Sequence, residues 1–234
     1  IQEVVYVHNS MVAVRNALAE LAKASVAVAC DKRETMIANG DNVVFANDIT
    51  GDLTIVQQPN VQIAINGNNK KFFGTITVDG QSARYETAGL TIKNVNFQTC
   101  DNSLDASIRL GGNDSIRYTN NVTVEGCSFN ADGKVAVKSY TGGDYNLVIK
   151  ECVVSENMHS LAQLANVEKG LQIIGCDVYS IRGISVGASL SLYMEGCTFD
   201  VKEYAVRFGS GGGINTEQKF FEIKTSALTS ACEE

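Results

Sequence analysis

Proline is almost missing: Pro59 stands alone against 21 glycines in a chain of 234 residues. Turns must therefore be made by Gly, Asn and Asp, which accept a positive φ, and not by ring-locked residues. A basic surplus is missing too. The 19 Lys and Arg are scattered and outnumbered by 26 Asp and Glu, leaving a net charge of −7. There is no electrostatic footprint for a phosphate backbone, so nucleic acid is not an expected partner. No stretch approaches the ~20 apolar residues of a membrane-spanning helix, so membrane insertion is not expected either. Methionine is absent from position 1; the chain opens on Ile1 without a charged and apolar leader, as in a mature or trimmed product. An even cysteine count is also lacking. With seven, at least one stays outside any intrachain disulfide, and a chain this long does not need bridges in place of a core.

What is present is an ordinary globular balance, 44% hydrophobic and 19% charged, enough for one sizeable core and one domain. Beneath it lies a repeat. Five segments align without gaps: Leu90-Thr-Ile-Lys-Asn-Val-Asn-Phe97, Val122-Thr-Val-Glu-Gly-Cys-Ser-Phe129, Leu147-Val-Ile-Lys-Glu-Cys-Val-Val154, Leu171-Gln-Ile-Ile-Gly-Cys-Asp-Val178 and Leu192-Tyr-Met-Glu-Gly-Cys-Thr-Phe199. Weaker copies flank them at Val61 to Ile65 and Phe221 to Ile223. The first and third residues are apolar and the second mostly polar, the alternation of a strand with one buried face. The fifth is Asn94, Gly126, Glu151, Gly175 or Gly196. Asn and Gly reach the left-handed region at least cost, so a sharp bend falls there, with Glu151 as the exception. Positions six and eight turn inward again.

A second alternation follows each unit, at Ile108 and Leu110, Val135 and Val137, Leu161 with Leu164, Ile184 and Val186, and Val206 and Phe208. Each repeat is thus two or three short strands joined by bends. None can bury its own faces, but coils stacked at the ~4.8 Å strand spacing enclose one continuous interior. The expected fold is all-β, a right-handed parallel β-helix (solenoid). An antiparallel sandwich is the rival, but it would show matched hairpins and no column of cysteines. Residues 1–41 read as an N-terminal cap with a capping α-helix over about 10–24, its stripe being Met11, Val14, Leu18 and Leu21. Residues 42–225 read as stacked coils and 226–234 as a tail. The units Leu90 to Phe97, Val122 to Phe129 and Leu192 to Phe199, with Asp48 to Ile55 and Asn60 to Gly67 before them, resemble the pectin-lyase-like superfamily of β-helix proteins. That resemblance implies a fold shared by polysaccharide lyases and hydrolases, bacterial adhesins, and bacteriophage tail and fibre proteins.

The column Cys127, Cys152, Cys176 and Cys197 is the most conspicuous constellation. Val95 fills the same position without sulfur and zinc-type C-x-x-C spacing is absent, so the four are expected to be free, buried and structural, with no metal or cofactor. Their spacing on stacked strands also exceeds the ~3.8 Å between Cβ atoms that a disulfide prefers. One pair among Cys30, Cys100 and Cys232 can bridge. The outward residues of the first sheet, where the superfamily's enzymes place their catalytic groups, hold no obvious acid pair. Glu125 lies between Lys93 and Lys150 as in a charge ladder, and Asp177 and Glu195 fall on opposite sides of a bend. Polygalacturonase-type and Arg-rich lyase signatures are absent, and His8 and His159 fall far apart. No catalytic residue is assigned.

Two surfaces remain as binding candidates. Val148, Val153, Ile174 and Tyr193 are expected to form an outward apolar patch, covered either by a loop from Met158 to Lys169 or by another subunit. Tyr140 and Tyr145 are placed to stack on a sugar ring. The expectation is a non-catalytic structural or binding module of a virion or cell surface, a bacteriophage fibre or decoration protein foremost. Its partners would be copies of itself, other structural subunits, or a polysaccharide. The alternative is a polysaccharide lyase or glycoside hydrolase.

Overall fold

The computed structural model describes residues 33–36, 42–57, 62–80, 89–101, 103–111, 119–140, 144–189, 191–208 and 220–230. The proposed cap helix, His8, Cys30 and Cys232 lie outside them. The described chain is an all-β parallel solenoid: every strand pair is parallel, and the strands recur in a strict order around three faces.

The first face is built from Asn42–Val44, Ile63–Asn66, Leu90–Lys93, Val122–Glu125, Asp144–Lys150, the second half of Ser160–Ile174, Ser191–Glu195 and Phe220–Lys224. The second face is an 8-stranded sheet of Ile49–Thr50, Lys71–Phe73, Asn96–Gln98, Ser128–Asn130, Val153–Val154, Asp177–Val178, Thr198–Val201 and Ala227–Ser230. The third holds Arg33–Met36, Asp52–Val56, Ile76–Asp79, Ala106–Leu110, Val135–Ser139, the first half of Ser160–Ile174, Arg182–Ser189 and Val206–Phe208. The strand Ser160–Ile174 runs across the third and first faces without a break and so merges them into one 15-stranded sheet.

Register follows the repeat residue for residue. Leu90 pairs with Val122, Val122 with Leu147, Leu147 with Leu171, Leu171 with Leu192 and Leu192 with Phe221. The bend after these strands is left-handed in every coil: Asn94, Gly126, Glu151, Gly175, Gly196 and Thr225 all have φ between 45° and 63°. Gly and Asn suit that conformation, whereas Glu151 and Thr225 hold it because the flanking strands are paired on the coil below. The weak copy near Val61 is offset by two residues, since Ile63 is the partner of Leu90. On the third face the apolar pairs shift likewise: Val135 and Val137 stand over Ala106 and Ile108, and Ala162 stands in line between Val137 and Ile184.

Inward residues fill a triangular interior. Phe45, just past the first-face strand, leads into the second-face column of Phe72, Phe97 and Phe129, with successive ring centroids 6.0, 5.6 and 5.0 Å apart and the middle pair edge-on. Val154, Val178 and Phe199 continue this buried column. Each such side chain is worth about 1.5–3 kcal/mol of burial. Strands also reach past the expected coil limits. Arg33–Met36 pairs with Asp52–Val56, inside the region read as cap, and Ala227–Ser230 pairs with Thr198–Val201, inside the region read as tail.

Candidate functional site

The bend that ends the first face carries the sulfur column. Cys127, Cys152, Cys176 and Cys197 are buried, free and directly above Val95 in the stacking order. Each thiol faces two carbonyls, one from its own coil and one from the coil before: Cys152 Sγ lies 3.3 Å from Lys150 O and 3.7 Å from Val124 O. Cys176 and Cys197 repeat the pattern with Ile174 and Ile149, and with Glu195 and Ile173. The neighbouring Cys152 thiol and burial push Cys176 up to about 12. The Cys127 thiol, with burial, raises Cys152, and the Cys176 thiol, with burial, raises Cys197. The sulfurs of Cys152, Cys176 and Cys197 are protonated packing atoms, unlike the electropositive, half-exposed thiolates that react or bind metal. Among the described residues no cluster of three or more His, Cys, Asp or Glu is arranged to hold a metal ion. Cys100 is disulfide-bonded.

On the outer side of the first face the expected patch is only partly assembled. Val148 shares an outward column with Gln172 and Tyr193, and Ile174 lies one column over, between Lys150 and Glu195. Val148, Ile174 and Tyr193 are therefore diagonal neighbours, each half-buried. Val153 is separated from them. It follows the Glu151 bend onto the second face, between Ser128 and Asp177, where it is 45% exposed. The segment expected to loop over the patch does not. It is the strand Ser160–Ile174, and Met158 is fully buried with its sulfur accepting from the Ala131 amide. The alternation Ala162, Leu164 and Leu171, Ile173 holds that strand in both the third and first faces, leaving no slack for a flap. Glu125 makes its ladder contact with Lys150 at 3.2 Å, directly in register with Lys93. Tyr193 donates to Glu195 Oε2 at 2.6 Å, and Glu195 raises its pKa. Asp177 and Glu195 sit on different faces, in register with Thr198 and Ile174.

The richest polar assembly lies elsewhere, on the outer side of the third face. In register order Thr77, Arg109, Lys138, Gln163, Ser185 and Arg207 point outward from successive coils. Tyr140, two residues beyond Lys138, lies beneath the Arg109 guanidinium, 4.6 Å from the ring centroid. Its hydroxyl accepts from Arg109 Nε at 2.9 Å and donates to Asp105 Oδ1 at 2.9 Å. Lys138 closes the group with an ion pair to Asp105. Partial burial pushes the Asp105 carboxyl up, but hydrogen bonds from Lys138 and Tyr140 outweigh it and hold the group below its usual range. Burial and the bond to Asp105 raise Tyr140. The ring expected to stack on a sugar is thus already engaged by Arg109, and the Tyr145 side chain lies outside the described residues.

A second cluster adjoins it. Arg182 meets Glu203 through Nε at 2.6 Å and Nη2 at 3.3 Å, and its Nη1 donates to His159 Nε2 at 3.0 Å. The His159 Nδ1 lies 3.1 Å from Ser160 Oγ and 3.2 Å from the Gln163 amide. Burial and the Arg182 charge lower the pKa of His159, which keeps the imidazole neutral so that Nε2 can accept. Arg182 in turn lowers Glu203. Sequence reasoning missed both clusters because it followed outward positions on the first face alone. The residues between the inward pairs of the second alternation, Arg109 and Lys138 above all, carried the signal.

No protein family, curated protein or solved structure matches this chain.

Proposed function

We propose that this chain is a non-catalytic structural or binding module of a virion or cell surface, a bacteriophage fibre or decoration protein foremost, on a right-handed β-helix of the pectin-lyase-like kind. Three short parallel strands per coil, with an Asn or Gly bend after the first, support the superfamily reading.

One observation carries the non-catalytic part. In the two polar clusters of the third face, the carboxylates are tied to cations in a way that lowers their pKa: Asp105 by Lys138 and Tyr140, Glu203 by Arg182. Sugar-bond cleavage by paired carboxyls needs one of them raised so that it enters protonated. Here the pull is in the opposite direction. A lyase-type base fares no better at His159, whose Nε2 is occupied by the Arg182 donor. What the clusters do supply is a row of fixed cations and amides on a rigid face, suited to holding an acidic or neutral polysaccharide without breaking it.

The test incubates the full chain with a panel of acidic polysaccharides and follows new reducing ends and unsaturated uronic products, alongside binding measured by affinity electrophoresis. Retardation by a polysaccharide without product supports the proposal. Product formation that is lost in Glu203→Gln or His159→Gln establishes the lyase or hydrolase alternative in its place.

A further inference from the structure

The two ends of the solenoid differ. At the N-terminal end of the described coils the inward residues Val43 and Ile49, which head the first-face and second-face columns, are 9% and 1% exposed. At the C-terminal end the equivalent residues are open: Ile223, in register above the fully buried Met194, is 48% exposed, and Leu228, above the fully buried Phe199, is 38% exposed. The strands that carry them, Phe220–Lys224 and Ala227–Ser230, have a neighbouring strand on one side alone among the described residues. A parallel edge with its apolar column exposed is a template for one more layer of strand.

We infer that the C-terminal end is a self-association surface that takes a second copy of this chain tail to tail, with the Phe220–Lys224 edges pairing antiparallel about a two-fold axis through Ile223. Three features select that occupant. The layer that completes the end must offer strand edges and inward apolar residues on the same triangular outline, which a second copy of this coil does. Head-to-tail stacking would need an open N-terminal end, and its inward residues are covered, so association closes at two copies and does not run on into a filament. Charge is self-complementary about the axis. Glu222 and Lys224 flank Ile223, point outward and already pair at 2.8 Å within one chain. A two-fold through Ile223 sets Glu222 opposite the second copy's Lys224, and the reverse, with Ile223 against Ile223. Opposite charges directly across an antiparallel pair favour that register, and like charges oppose it. This inference rests on the structural-module reading but is tested without reference to any ligand.

Light scattering over a concentration series of the full chain, reaching about 100 µM where weak interfaces become populated, is the measurement. The expected result is a monomer–dimer equilibrium. Ile223→Lys, at a half-open position, should leave the cooperative unfolding transition in place and return the chain to monomer. The register is read by two charge variants. Glu222→Lys and Lys224→Glu each place like charges opposite themselves twice, and each should dimerise about tenfold more weakly, the order expected of two unfavourable cross-strand pairs. Mixed together they should recover a heterodimer, because every cross-strand contact is then opposite in sign. A chain that stays monomeric throughout overturns the inference, as does a trimer or filament, or a dimer indifferent to Ile223→Lys. A dimer without heterodimer recovery overturns the two-fold register. Cleavage of a polysaccharide would refute the functional proposal and leave this result untouched.

Discussion

Phe129 and Leu228 occupy the same inward column of the second face, connected in register through Val154, Val178 and Phe199, yet Phe129 is 0% exposed and Leu228 is 38% exposed. The residues are alike in kind; the coils around them are not. Phe129 has coils on both sides and a parallel ring 5.0 Å away in Phe97. Leu228 has a strand on one side alone among the described residues. In a solenoid, then, an apolar side chain stabilises the fold in proportion to how many neighbouring coils enclose it, so that energy concentrates in the middle and thins toward an open end.

The largest expected effect tests that gradient directly. Phe129→Ala should cost about 3–5 kcal/mol, the range for deleting a buried aromatic and leaving a cavity. Leu228→Ala should cost less than about 1 kcal/mol, because most of the removed surface is already in water. Urea denaturation at a dilution that keeps the chain monomeric gives both numbers. Equal costs would mean that the terminal coil is enclosed in solution, and the contrast drawn here would disappear.

A smaller effect sharpens the same comparison at the bends. Glu151 and Thr225 both hold a left-handed φ, 53° and 45°, at equivalent places in a middle and a terminal coil. A side chain in that region costs roughly 1–2 kcal/mol, part of which glycine gives back through the flexibility of the unfolded chain. Glu151→Gly should therefore raise global stability by about 0.5–1 kcal/mol. Thr225→Gly relieves a similar strain where the fold frays first, so its gain should appear in amide-exchange protection of Ala227–Ser230 and not in the denaturation midpoint. A midpoint shift of equal size in both variants would show that the terminal coil unfolds with the rest.

The fold was legible because stacking in register forces like residues above like: the alternation, the Asn or Gly bend and the position-six column had to repeat, and the observed pairing of Leu90, Val122, Leu147, Leu171 and Leu192 follows them. At Glu151 the alignment of the repeat alone marked the bend, since nothing in a lone Glu announces a positive φ imposed by its neighbours. The third-face register was harder to read. Ala106, Ala162 and Ser160 are small there, and a column that mixes Ala with Val and Ile leaves a weak periodic signal. The polar clusters were the least legible part. Asp105 and Tyr140, or Arg182 and Glu203, meet only once each coil's corner is placed, and variable insertions between coils hide those corners from spacing arguments. Val153 was misplaced for a related reason: two residues past a bend, a side chain leaves for another face.

The smallest effect asks whether the exterior of a middle coil is as closely coupled to folding as its interior. His159 is the test, because its lowered pKa arises first from burial, then from Arg182, with Lys138 adding to it and Glu203 opposing. Its folded pKa lies below the ordinary value of 6.5. Between the two values the unfolded chain binds more protons, so stability rises with pH in that window. Its contribution is complete above about pH 6.5 and declines as the pH falls through the window, where the protonated ring can no longer accept from Arg182. The ring is only partly buried, so solvent screening should keep the loss under ~1 kcal/mol. Thermal unfolding followed from pH 7.5 down to about 5, above the ordinary carboxylate range, isolates this group from the loss of Asp105 and Glu203 charge at lower pH. His159→Gln keeps an acceptor for Arg182 without a titrating proton, and its melting temperature should be flatter across the window than that of the parent chain. Parallel slopes for the two chains would place the titration elsewhere and reduce the His159 cluster to a surface contact with no bearing on folding.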